Sequence, residues 1–442
     1  MNPILLLFIA VCAFLLLQGM LKRGAIYQFP FLAGAVFAGW ALPQLIGLSN
    51  ESYLPPGAFE STLLMASLCG VMSWLGAVAA GPPYRKPVWV YDDSRLLLVS
   101  AVLSVVGAYF YYAITQLPEE LTGVSAWTGL PVAYLFFARL LTYGFAIAVL
   151  LFARSRSRVA LLIALFCAVF YFDRLVIAGR RQDMGEVVLM IILAWWFQRG
   201  RCVPRPLMLA GLVAGALFVN SIGDYRNASG QKEGPKWNEI ANIDFVGNLQ
   251  HLTEHGGPEL ENAAYIIAAV GRTLDFDFGV AHYNALVFAY VPAQLVGADV
   301  KQALYLPYEN WRYSNDAPSP AFAQFSYVPV PGSTITGFSD TFASFWYFGC
   351  LVFFAIAYCM QKLWWWARGG SFLAQLLYML MPMSALEAIT HSTDSFPMPW
   401  VHIAAFLLPP LYFARRGRPP ARRRPSGPPL MIVPLWSGGG RP

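Results

Sequence analysis

ILLLFIAVCAFLLLQGML, Ile4 to Leu21, contains no charged side chain and is long enough to cross a hydrocarbon core of about 30 Å as a helix. No basic residue precedes it, and Lys22-Arg23 follow it. A cleavable signal peptide carries its positive charge first, so this stretch reads as a retained span entering with its amino end outside. Ten further apolar runs follow, at 29–48, 61–80, 96–114, 130–152, 159–178, 184–198, 207–220, 342–360, 372–390 and 397–413. In lipid such runs satisfy their own backbone only as helices. The expected fold is therefore an all-α polytopic integral membrane protein with about eleven transmembrane helices and one large extracytoplasmic loop region.

Composition agrees. Hydrophobic residues make up 57% of the chain and charged residues only 12%, against about a quarter in soluble domains. The six cysteines lie in or beside apolar runs without a CxxC pair, which implies neither a disulfide framework nor a zinc site. There is no HExxH and no Walker A loop, so no metal, cofactor or ATP-driven step is expected. A net charge of +6 could suggest nucleic acid, but the basic residues are parcelled into short loops and an Arg-rich tail, which speaks to orientation and not to a nucleic-acid partner.

The loops alternate. Lys22/Arg23, Arg85/Lys86/Arg95, Arg154/Arg156/Arg158, Arg199/Arg201/Arg205, Lys362/Arg368 and the tail from Arg415 fall on one side of the expected bundle. Asn50 to Glu60, Gln116 to Gly129 and His391 to Pro397, on the other side, hold no Lys or Arg. The positive-inside pattern then places the carboxyl terminus in the cytoplasm and Asn220 to Asp340 outside. That interval holds thirteen of the 24 carboxylates and three of the five histidines. The chain divides into a helix block at 1–220, a large outer region at 221–341, a second helix block at 342–413, and a disordered Arg/Pro-rich tail at 414–442 that can rest on anionic lipid. Within the outer region, Ala263 to Val270 and Tyr283 to Val296 are apolar but short, and read as helices lying at the interface or dipping into the bundle. Leu306 to Asp340 reads as a long loop.

One outer loop departs from the charge rule. Asp173-Arg174 and Gly179-Arg180-Arg181-Gln182-Asp183 put three arginines where orientation gains nothing from them. Local pairing with Asp173, Asp183 and Glu186 is one explanation. The other is a seat for an anion at the membrane face, most simply a lipid-linked phosphate, beside the free N–H groups of the helix that follows. Arg226 and Arg272 lie near carboxylates, where ion pairing competes with the same role. Arg139 sits inside a span, where an ionisable group marks either an interhelical hydrogen bond or a polar cavity. Glu387 and His391 stand at i and i+4, with Asp394 just beyond. They read either as a proton acceptor tuned near neutrality or as a structural helix end.

Three phrases, AGRRQDMGEVVLMIILAWW (Ala178 to Trp196), GDYRN (Gly223 to Asn227) and PGSTITGFSDTFASFWYFG (Pro331 to Gly349), resemble, in that order, elements of the O-antigen or oligosaccharide repeat-unit polymerase (Wzy-type) family. Arg181 aligns with the family arginine, and Arg180 stands where the family has serine. The resemblance implies a metal- and ATP-independent glycosyltransferase of the bacterial inner membrane. It would polymerise undecaprenyl-diphosphate-linked repeat units at the periplasmic face, in O-antigen or exopolysaccharide biosynthesis. The implied partners are the lipid-linked oligosaccharide, membrane lipids, a chain-length regulator and a flippase.

It further implies Arg181 and Arg226 on the diphosphate, with Arg180, Arg174 and Arg272 as second choices. His391 or Asp340 would be the base, and Glu387 would hold His391. Trp311, Tyr313 and Tyr327 would stack on sugars. An O-antigen ligase shares the helix count, the arginines and an outer histidine. A transporter or flippase of lipid-linked sugars would place its charges along a midplane path, where only Arg139 lies. The first outer loop, NESYLPPGAFE, lacks the diacid of many lipid-sugar-dependent glycosyltransferases.

Overall fold

The computed structural model describes residues 2–22, 24–82, 89–118, 121, 129–172, 181–229, 236–291, 293–307, 320–330 and 332–416. Among them every regular element is helical, apart from one isolated bridge between Tyr91 and Arg415. The chain is an all-α, multi-pass membrane protein.

Helix α1 (Pro3–Leu21) starts where the Asn2 side chain accepts from the Ile4 N–H at 2.9 Å, with Pro3 supplying a first-turn residue that has no N–H to satisfy. The helices that follow are α2 (Phe29–Leu48), α3 (Ala58–Ala80), α4 (Asp93–Thr115), α5 (Leu130–Ser155), α6 (Arg158–Phe172), α7 (Arg181–Arg199) and α8 (Arg205–Asn220). After them come α9 (Ile222–Ser229), α10 (Phe245–His255), α11 (Pro258–Thr273), α12 (Val280–Tyr290), α13 (Gly337–Phe345), α14 (Cys350–Arg368), α15 (Phe372–Thr390), α16 (Met398–Phe406) and α17 (Leu408–Ala414).

Helices stand at all eleven expected positions, but they are not equivalent. Seven among the described residues are long and apolar enough to cross a membrane, α13 and α14 counting as one 32-residue helix. The pair Thr393–Phe406 and α17, bent by 44°, makes an eighth if taken as one span. Helices α6 and α8 are shorter apolar helices, and α7 opens with Arg181, Asp183 and Glu186, which dilute its apolar character.

Small residues let the helices approach closely, the usual device where lipid gives no hydrophobic drive between them. A Cβ on Gly76 of α3 would lie 2.2 Å from the Phe354 carbonyl oxygen of α14, and one on Gly107 of α4 would lie 2.2 Å from the Leu141 nitrogen of α5. Between the same two helices, Ser100 Oγ donates to the Gly144 carbonyl at 2.8 Å.

The basic loops gather at one end of the bundle. Arg154 pairs with Asp93 at 3.3 Å, and Arg416 with Asp92 at 3.0 Å. Arg199 donates to the Ala153 carbonyl at 2.7 Å, and Arg95 to the Phe413 carbonyl at 3.2 Å. Those carbonyls close the last turns of α5 and α17, where unpaired C=O groups and the negative dipole end favour a cation. At the opposite end, α11 packs on α3 and α13, burying Leu260, Ala263, Ala264, Ile266, Ile267 and Val270. The apolar run Ala263 to Val270 is thus a helix docked on the bundle. The segment expected as loop up to Asp340 ends sooner: α13 begins at Gly337, because the Thr336 hydroxyl accepts from the Ser339 N–H at 3.3 Å and caps it.

Candidate functional site

Helices α12, α13 and the turn after α15 converge at the end opposite the basic loops. Asp340 sits in the first turn of α13 with its side chain 3% exposed. Its Oδ2 accepts from the Thr393 N–H at 3.0 Å and the Thr393 hydroxyl at 2.9 Å. His282 of α12 reaches the same oxygen with Nε2 at 3.2 Å, and lies 2.7 Å from Thr393 Oγ1. Its other ring nitrogen faces Ser344 Oγ at 3.4 Å, one helical turn beyond Asp340.

Because the Thr393 hydroxyl donates to Asp340, it accepts from His282 Nε2–H. In the neutral ring this leaves the lone pair on Nδ1. The histidine side chain is 21% exposed while the carboxylate is 3% exposed, so the ring is the member of the pair that solvent or a ligand can reach. Asp277 orients α12 itself: its carboxylate accepts from the Gly279 N–H at 2.8 Å and the Ala281 N–H at 3.3 Å, compensating free donors at the helix start.

A second polar chain ties α11 to the same turn. Asn262, fully buried, donates to Ser333 Oγ at 2.9 Å and the Thr334 carbonyl at 3.1 Å, and accepts from the Tyr327 hydroxyl at 2.8 Å. Thr334 Oγ1 then donates to the Thr390 carbonyl at 2.9 Å. Beside Asn262, burial raises the Glu261 carboxyl above its ordinary value and nearby Glu51 adds to the rise, while a hydrogen bond from Tyr53 acts against it.

Of the residues singled out in the sequence, the structure brings Asp340, Glu387, His391 and Asp394 to this one region. His391 ends α15. Its N–H donates to the Glu387 carbonyl at 2.8 Å, but its backbone leaves the helix (φ −123°, ψ −93°), and Nδ1 lies 2.9 Å from Thr390 Oγ1. Asp394 is buried and accepts from the Ser392 hydroxyl. Tyr327 stacks on Tyr265 with ring centroids 4.1 Å apart, so protein covers one of its faces. Exposed Arg272 lies over the Phe325 ring, 4.6 Å from its centroid. Arg181 opens α7 and Arg226 lies in α9. Arg174, Arg180, Trp311 and Tyr313 lie outside the described residues, as do the side chains of Arg181 and Arg226.

Sequence reading missed two histidines. His282 lies in an apolar helix, in AHYNALVFAY, where its one signal is a titratable residue in an otherwise apolar face. His402, 2% exposed, joins α16 to α5 by Nδ1 to the Tyr143 hydroxyl at 2.7 Å and Nε2 to the Phe136 carbonyl at 2.8 Å. With both nitrogens engaged, it reads as an interhelical tie. No cluster of metal-ligating residues occurs among the described residues. No protein-family model, curated protein or solved structure matches the chain.

Proposed function

We propose that the protein is a bacterial inner-membrane glycosyltransferase that joins lipid-linked oligosaccharide repeat units at the extracytoplasmic face, its eleven helices crossing with the amino terminus outside and the carboxyl terminus in the cytoplasm. The observation that carries this reading is the His282–Asp340–Thr393 cluster, set at the bundle end opposite the basic loops. The resemblance of the Arg181, Arg226 and Pro331 to Gly349 phrases to repeat-unit polymerases supports it.

In this reading His282 replaces His391 as base, and Asp340 is a positioning residue. The acceptor sugar hydroxyl attacks the anomeric carbon of the glycan carried on undecaprenyl diphosphate, and its proton passes to His282 Nδ1. The new glycosidic bond forms as the carbon–oxygen bond to the diphosphate breaks, and the diphosphate leaves with the electron pair. Arg181 and Arg226 neutralise it, with Arg174, Arg180 and Arg272 as second choices for the same role. Asp340 holds the ring and stabilises the imidazolium. The carrier is already activated, so no nucleotide is consumed.

The test is reconstitution with a synthetic undecaprenyl-diphosphate oligosaccharide, reading product length on a gel. The wild-type protein is expected to give a ladder. His282→Ala, Arg181→Ala and Arg226→Ala should each reduce it by about 10²-fold or more while the protein still inserts. A normal ladder from His282→Ala would remove the base assignment. A wild-type protein that transfers single units to a lipid A acceptor, and never extends them, would overturn polymerisation in favour of ligation.

A further inference from the structure

Among the described residues, five other than glycine hold a positive φ: Arg156, Leu274, Phe278, Ser326 and Trp346. Two of the five are exposed aromatic residues next to the His282 cluster. Phe278, four residues before His282, has φ 50° and is 76% exposed. Trp346 ends α13 with φ 53° and ψ −145°, a conformation essentially restricted to glycine, and is 45% exposed. Such strain persists only where the surrounding structure enforces it, and it collects at active sites and ligand clamps.

The fold brings the two turns together. The Asp277 N–H donates to the Ala343 carbonyl at 3.3 Å, and a Cβ on Gly279 would lie 3.1 Å from Phe345 Cζ. The residues on both sides of Phe278 therefore lie against the end of α13. There Ser344 Oγ is 3.4 Å from His282 Nδ1, and the Phe345 ring is 6.4 Å from the His282 ring. Each strained aromatic is braced by a neighbour, Phe276 at 6.3 Å from Phe278 and Tyr347 at 5.3 Å from Trp346, and both stay exposed.

We propose that Phe278 and Trp346 form an aromatic clamp that seats the pyranose ring presented to His282, the acceptor sugar of the reaction proposed above. The inference rests on that reading for the reaction, although the clamp binds a sugar whether or not one is transferred. Aromatic rings around a polar imidazole match a partner with both characters: the C–H face of a pyranose stacks on a ring while its hydroxyls reach His282. A hydrocarbon chain would leave the imidazole unmatched. At 1.5 Å per residue Trp346 stands roughly 33 Å along the helix from Arg368, near the outer edge of the hydrocarbon core, where tryptophan also serves as an interfacial anchor. An anchor needs no positive-φ backbone.

The test uses full-length protein labelled with fluorotryptophan, reconstituted in nanodiscs and followed by fluorine NMR. It is titrated with the methyl pyranosides of glucose, galactose, mannose, rhamnose and N-acetylglucosamine, and with glycerol as a polyol without a ring. The Trp346 resonance is the one missing from Trp346→Gly. At least one pyranoside should shift it saturably, and Phe278→Gly should weaken that response on the order of tenfold. Glycine fits the backbone, so Trp346→Gly should melt higher than Trp346→Ala. A resonance that no pyranoside moves, that glycerol moves equally, or that responds unchanged in Phe278→Gly would overturn the clamp. In the polymerisation assay both glycine variants should act mainly on KM for a soluble acceptor oligosaccharide, raising it about tenfold, whereas His282→Ala acts on kcat. A sugar response without any ladder would keep the clamp and remove polymerisation. A ladder with unchanged KM in both variants would remove the clamp and keep polymerisation.

Discussion

Asp340 and Thr393 are joined twice, the carboxylate accepting from both the backbone N–H (3.0 Å) and the hydroxyl (2.9 Å) of one residue. Both groups are buried, so this contact fixes the start of α13 against the turn after α15 and sets where His282 must lie. Thr393→Val keeps the volume and removes one donor to a buried charge, and should cost about 1.5–3 kcal/mol of stability. Thr393→Ser keeps the donor and should cost less. Denaturation of the two variants side by side in detergent checks the order, and a Val variant as stable as the Ser variant would show that the hydroxyl bears no load.

Gly337 makes the same docking possible. A Cβ there would stand 1.7 Å from the Ala388 carbonyl oxygen of α15, and that backbone cannot yield without unwinding the helix. Gly337→Ala is therefore expected to separate α13 from α15, with a loss of at least about 3 kcal/mol, the upper part of the overpacking range. Thermal unfolding followed by size-exclusion fluorescence measures it. In the reconstituted assay the same variant should lose activity together with its stability, unlike His282→Ala, which should remain folded.

The end-to-end segregation of charge was legible in the sequence, because an arginine is costly inside an apolar span and, Arg139 apart, the arginines mark span ends. The contacts of Arg154 with Asp93 and Arg199 with Ala153 follow from that constraint. The start of α13 was misjudged by a few residues, because Thr336-Gly337 reads as loop chemistry until Thr336 is seen to cap Ser339. The partnership of His282 with Thr393, 111 residues away, was not legible at all. It depends on how α12 lies against the final helices, and no local periodicity encodes that. Conversely, the i, i+4 spacing of Glu387 and His391 assumes one continuous helix, whereas the helix ends at Thr390 and His391 takes a non-helical backbone.

Asn220, the last residue of α8, donates to the Gly39 carbonyl of α2 at 3.0 Å. The need arises in α2: Pro43, four residues on, has no N–H to offer that carbonyl, and the helix widens to a π turn over Phe37–Ala41. Asn220→Leu should leave the carbonyl unpaired at a cost of about 1–3 kcal/mol. Pro43→Ala restores a backbone donor, so combining it with Asn220→Leu should recover part of the loss. A double-mutant cycle on melting curves measures the coupling, and strictly additive effects would mean that the side chain and the proline are unrelated.

Glu261 gives the fold a pH dependence whose sign can be worked out. Burial raises its folded carboxyl above the ordinary value of 4.5, so between the unfolded and folded values the native state binds more protons than the unfolded state. Stability from this group is fully present below the unfolded value and is lost as pH rises through the raised folded value. Glu261→Gln cannot ionise and still offers an amide oxygen to Tyr53, whose hydroxyl hydrogen-bonds the carboxyl. The variant should therefore melt at a higher temperature than the wild-type protein at pH 7.5, and the difference should vanish by about pH 4, where the wild-type carboxyl is protonated in both states. Melting curves of both proteins across that range decide it. A variant that is less stable at neutral pH would mean that the charged carboxylate is the form the Tyr53 hydroxyl holds in place.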